Sequence, residues 1–220
     1  KGYSGYATAA SADGVHWPAD KIKLLWESAD VITAAARPGG DVTLMMKQNR
    51  MLRGRFRRAF CQAEWSKGVL SEPRHALWPT ATDDQRSIER GFLGCDFYGV
   101  GLEPRRDGTT VGFLWRFLHQ SPLGSTAAGS LTYGDRGQVD VGLVYQLTPS
   151  GGWHRAPGAD AWLSPADAPD WAFGCIYTSP NIVSTGTEDR LYFTGTREYH
   201  GWVGAGAATD GVQRDAAENG

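Results

Sequence analysis

Apolar and polar positions alternate in short runs over most of the chain, with glycine or proline between the runs. A period of two bounded by turn residues is the pattern of strands rather than helices. Val31-Ile-Thr-Ala-Ala35 and Val42-Thr-Leu-Met-Met-Lys47 flank the turn Pro38-Gly-Gly-Asp41, and residues 55–64 read as a third strand. Asp96-Phe-Tyr-Gly-Val-Gly-Leu102 is followed by the loop Pro104-Arg-Arg-Asp-Gly108 and a returning strand at 110–118. After a long Gly-, Ser- and Thr-rich loop at 120–137, residues 139–147 form the next strand. Residues 175–183 pair with 190–196 across Gly186-Thr-Glu-Asp189, and residues 3–17 hold one further pair of strands. The polar, proline-bearing stretch 71–91 reads as a crossing segment. No run of a dozen residues has helical periodicity; Ser164-Pro-Ala-Asp-Ala168 offers one turn at most.

One turn recurs. Ser11-Ala-Asp-Gly-Val-His-Trp17 has an aspartate able to bond forward to its own backbone, a glycine for positive φ and a tryptophan to bury. Weaker copies stand at Trp65-Ser-Lys-Gly68, Thr148-Pro-Ser-Gly-Gly-Trp153 and His200-Gly-Trp202. A strand-rich repeat of roughly fifty residues with one longer interval predicts an all-β chain built as a β-propeller of four-stranded antiparallel blades. Residues 1–203 supply about two complete blades and two partial ones, so the ring reads as incomplete, and 204–220 read as a flexible tail.

Composition changes this picture little. The chain has 220 residues, 29 glycines and nine tryptophans, which suits short strands and aromatic packing. Its formal net charge of −2 argues against a nucleic-acid or anionic-membrane partner, and no apolar stretch approaches the ~20 residues of a membrane span. Arg50, Arg53, Arg55, Arg57 and Arg58 read as an exposed strand edge protected by charge. Cys61, Cys95 and Cys175 have no metal-ligand spacing and read as buried free thiols. Neither a metal nor a cofactor is expected, and compartment is not legible.

The turn at Ser11–Trp17, Phe97-Tyr98-Gly99, Val111-Gly-Phe-Leu-Trp115, Gln138-Val-Asp-Val-Gly-Leu143, Ile176-Tyr-Thr-Ser-Pro180 and Arg190-Leu-Tyr-Phe193 occur in an order that resembles one family. It is the β-fructosidase/furanosidase superfamily, the five-bladed propellers of glycoside hydrolase families 32 and 43. The resemblance implies an oligo- or polysaccharide substrate and carboxylates at a central channel, one protonating the leaving oxygen and another attacking the sugar or activating water. Of that set only Asp96 carries over. The Asn-Asp-Pro nucleophile motif would lie before Lys1, Asp96 lacks the Arg-Asp-Pro context, and Tyr177-Thr-Ser-Pro180 has no acid where Glu-Cys would fall. A carbohydrate-binding propeller without its acids is therefore the alternative. A sialidase-like propeller is the second, because the Asp13 turn also resembles an Asp-box.

The candidate residues follow. Asp96, at the start of an inner strand and walled by Tyr98 and Tyr177, is expected to be partly desolvated, with its pKa raised into the range useful for proton transfer. Glu198 is the candidate second acid. Arg197 and His200 join it in Thr196-Arg-Glu-Tyr-His-Gly-Trp202, the densest polar–aromatic stretch. His119, at a strand end, and Trp171, as a ring platform, complete the expected substrate contacts. Trp17 and Trp115 are expected in the core, Asp140 on a solvated strand face, and Asp83-Asp84 in a solvated loop.

Overall fold

A computed structural model describes residues 5–27, 31–52, 54–120, 124–125, 131–132 and 136–201. Strands β1 (Gly5–Thr8) and β2 (Lys23–Glu27) pair as an antiparallel ribbon. Strands β3 (Ile32–Ala36), β4 (Val42–Leu52) and β5 (Arg55–Ser66) form a meander, and β6 (Val69–Leu70) and β7 (Arg74–Leu77) both fold back on β5. Helix α1 (Ala81–Glu89) then leads into β8 (Cys95–Pro104) and its partner β9 (Thr110–His119). The short pair β10 (Gly124–Ser125) and β11 (Leu131–Thr132) returns to the first sheet, where β11 runs parallel to the start of β5. Strand β12 (Gly137–Gln146) joins β9 antiparallel, and β13 (Trp153–Arg155) turns back on β12. Strand β14 (Cys175–Thr178) meets β12 in parallel, β15 (Val183–Ser184) and β16 (Asp189–Arg190) make a second ribbon, and β17 (Phe193–Thr196) closes onto β14.

The local chemistry explains the tight turns. Lys67 and Gly68 both adopt positive φ, 51° and 78°, and the two-residue loop they form matches the twist of the flanking strands β5 and β6. Between the larger elements one apolar core serves both sheets. Ala35, Met45, Phe60 and Leu77 from the first sheet pack with Phe97, Val100, Leu102, Leu114, Leu118 and Val144 from the second.

The chain is mostly β, as its alternation predicts. The five-bladed ring is not what the described residues form. They make a seven-stranded and a six-stranded sheet packed on one core, plus the two ribbons. The turns at Gly68 and Gly151 each return a long strand onto a short partner, the first through a two-residue loop and the second through six residues. The longer interval between them holds α1 and the β8–β9 hairpin, which completes the second sheet instead of adding a blade. Each sheet also contains a parallel pair, β11 with β5 and β12 with β14, which an up-and-down blade lacks.

Helix α1 corrects the reading of 71–91 as a simple crossing. Thr80 and Asp83 form a reciprocal capping box, with the Thr80 side chain accepting from the Asp83 amide and Asp83 accepting from the Thr80 amide. The helix buries only Asp83 and Ser87, so ions rather than apolar contacts hold it. Asp83 accepts from Arg155 at 2.8 Å, and Asp84 takes both terminal nitrogens of Arg57 at 2.8 and 3.0 Å. The expected solvated loop is thus a charged seam. Arg57, expected on an exposed edge, is buried in it, because Cys95 and Asp96 of β8 and Asp84 of α1 close over its guanidinium. Asp140 is likewise buried, held by Arg116 at 2.8 Å and by Arg90. Trp17 is 55% exposed, its indole N–H turned back to the Gly14 carbonyl, and Trp115 is half-buried.

The three cysteines are free and buried, and residues 165–167 make one 3-10 turn. Arg53, Trp202 and the expected tail at 204–220 lie outside the described residues. No helix among the described residues is long and apolar enough to cross a membrane.

Candidate functional site

Strand β8 carries the first candidates. Its register against β9 shifts between Phe97 and Gly99, and this bulge re-aims Tyr98 out of the regular ladder. Gly99 is required there, since a Cβ would fall 2.0 Å from the Trp115 ring.

Asp96, one residue before the bulge pair, is 3% exposed. Its Oδ1 accepts from Arg57 Nε at 2.5 Å and its Oδ2 lies 3.2 Å from His119 Nε2, itself fully buried. Burial pushes the Asp96 carboxyl up, but the hydrogen bonds and charges of His119 and Arg57 outweigh it and hold the pKa below the ordinary carboxylate range. The expectation was the opposite shift. It failed because the cationic partner comes from β5, thirty-nine positions away in sequence, where spacing gives no hint of it.

Next to this closed network lies an aromatic group. Tyr98 stacks near Phe117 with centroids 5.9 Å apart, Tyr177 lies 6.2 Å away, and Trp115 meets Tyr177 edge-on at 5.5 Å. His200 Nε2 is 3.0 Å from the Tyr98 hydroxyl, and the ring of His200 stands on Phe117 at 5.1 Å. Two cations of the first sheet face the group. Lys47 Nζ sits 4.2 Å over the Tyr98 ring and the Arg58 guanidinium 4.9 Å over Phe117. Burial, with Cys175 nearby, pushes the Tyr177 hydroxyl well above its ordinary range.

The structure therefore brings Asp96, His119, Tyr98, Tyr177 and His200 into one neighbourhood. Trp171 belongs to a different surface. It follows Pro169 on a 3-10 turn at 170–172 and closes on Gly195 of β17, where a Cβ would fall 2.5 Å from the indole. Its ring is 11° from parallel to Phe193, centroids 5.8 Å apart, and the two rings are 47% and 39% exposed. Arg197 and Glu198 come directly after β17 in an exposed bend, and Tyr192, 56% exposed, stands just before it. Phe193 was absent from the sequence-based candidates. The signal was present in its position two residues before Gly195 on one strand, but only the partner Trp171 reveals it.

Clefts also open elsewhere among the described residues. One, about 880 Å³, lies between the β3–β4 turn and the β8–β9 hairpin. A second, about 470 Å³ and apolar, separates the β1–β2 ribbon from β3 and β4, and a third, about 230 Å³, sits beside His75 and Trp78.

Comparison with protein-family models, with curated proteins and with solved structures finds no match. The resemblance to the β-fructosidase/furanosidase superfamily is corrected accordingly. Its motifs are real hairpins and bulges, but they assemble into two packed mixed sheets, and no family model recognises their order.

Proposed function

We propose that the protein binds a saccharide and that a sugar ring stacks on the Trp171–Phe193 surface. The observation that carries this reading is the pair of near-parallel, half-exposed rings, braced from beneath by Gly195 and flanked by the exposed Arg197 and Glu198. An apolar ring face covers the C–H face of a pyranose or furanose, and the charged neighbours supply hydrogen bonds to its hydroxyls. Because the indole is held by a 3-10 turn on one side and a strand on the other, little of its freedom remains to be lost on binding.

Binding is favoured over hydrolysis by the state of the acids. Proton donation to a leaving oxygen calls for a carboxyl held protonated near neutral pH. The Arg57 guanidinium and the hydrogen bonds around Asp96 hold its pKa down instead, and Glu198 is exposed to water. Affinity electrophoresis of the whole chain against soluble polysaccharides tests the proposal. Retardation by at least one glycan is expected, reduced roughly thirtyfold in apparent affinity by Trp171→Ala, the size of a ~2 kcal/mol contact. Equal retardation of wild type and Trp171→Ala would remove Trp171 from the site. Release of reducing sugar in the same incubations would favour the hydrolytic reading.

A further inference from the structure

We infer that the cleft between the β3–β4 turn and the β8–β9 hairpin is an oxyanion site, suited to a phosphate or sulfate group, free or esterified. Arg37 on one wall and Arg105 and Arg106 on the other line a space of about 880 Å³, with Ser184 of the β15–β16 ribbon at its rim. Two turns far apart in sequence therefore bring three arginines to the lining of one cleft.

The neighbouring acids are already engaged. Glu103 accepts from the Ile182 amide at 3.1 Å, and Asp107 accepts from the Thr109 amide and hydroxyl at 3.0 and 2.7 Å. These bonds to Thr109 hold the Asp107 carboxyl below its ordinary range and tie it to its own turn. The arginines keep spare donors. Arg37 reaches Glu64 through Nη2 at 2.8 Å, while its buried Nε has no hydrogen-bond partner. Arg105 touches Asp189 only at 3.5 Å, and Arg106 is exposed on the hairpin. A guanidinium fork matches the oxygens of a tetrahedral oxyanion. Backbone hydrogen bonds close both turns: Arg37 N–H donates to Asp41 O at 2.7 Å and Arg105 N–H to Thr109 O at 2.8 Å. The inference is independent of the Trp171 surface.

Isothermal titration of the whole chain with inorganic phosphate, inorganic sulfate and a hexose monophosphate, each at low and at physiological ionic strength, tests it. Saturable binding is expected, weakening as salt is added. Arg106→Ala is expected to weaken it about tenfold, and Arg105→Ala by a similar factor. Tighter binding of the hexose monophosphate than of free phosphate assigns the site to an esterified ligand; equal binding assigns it to the free ion. Trp171→Ala is expected to leave all three titrations unchanged, so failure here and failure of the saccharide surface are read separately. No saturable heat with any probe, or binding indifferent to both arginine variants, would overturn the inference.

Discussion

Replacing Asp96 by Asn probes the buried charges between the two sheets with the smallest change of shape. The side chain is 4% exposed and Arg57 is 6% exposed, so solvent screens their contact little. Breaking one partner of a buried pair costs about 3–5 kcal/mol. The lower end is expected here, about 3 kcal/mol, because Arg57 keeps two bonds to Asp84 and Asn retains an acceptor. In a domain of this size that is a fall of roughly 6–12 °C in Tm. The pH dependence is diagnostic. The folded pKa of Asp96 lies below its unfolded value of about 4, so its stabilisation is complete above that pH and is lost as pH falls through the folded pKa. Urea unfolding followed by tryptophan fluorescence should therefore show a full gap between wild type and variant at about pH 7 and pH 5, narrowing below about pH 4. A gap under ~1 kcal/mol at pH 7, or one that stays constant into acid, would refute the reasoning.

Further outcomes follow from other contacts. Thr80→Ala removes the helix cap and should cost about 1 kcal/mol, read as a lower urea midpoint with unchanged slope. Gly195→Ala places a methyl within 2.5 Å of the Trp171 ring, and should shift tryptophan emission and weaken glycan retardation without removing any aromatic group. Burial raises the pKa of the Cys95 and Cys175 thiols, so both should resist iodoacetamide at about pH 8 in the native protein and react once it is unfolded.

The strands were legible as short apolar runs bounded by turn residues, only β3 alternating cleanly between a buried and a wet face. The β3–β4 pair announced itself through Pro38-Gly-Gly-Asp41, and β8, β9 and β12 through runs of apolar residues too short for helices. Helix α1 was missed because it has no apolar stripe to detect; Thr80-Ala-Thr-Asp83 was its one signal, with Asp in place of the usual Glu or Gln. The burial of Arg57, Asp83 and Asp140 was illegible for a related reason. Each is stabilised by a partner on another element, and a charged residue in isolation reads as surface. Sheet assembly was misjudged because similar hairpins recur whether their sheets close into a ring or pack in pairs. Trp171 was singled out in the sequence as a ring platform, while Phe193 stood only as the end of the Arg190–Phe193 run.

The nine residues of α1 are too few to hold a helix in isolation, where about 12–15 are marginal even in favourable sequences. The acids of α1 wait for Arg57 and Arg155, and its arginines for Asp140 and Asp160, across separations of 27 to 74 positions. The meander of β3 to β5 and the β8–β9 hairpin close over short distances and have no such wait. The helix is therefore expected to dock late, as a latch across structures already formed. Contacts made after the barrier govern how fast a protein comes apart rather than how fast it assembles. Severing the latch at Arg155 or Asp84 should steepen the rate of escape from the native state and leave refolding from urea close to that of the wild type.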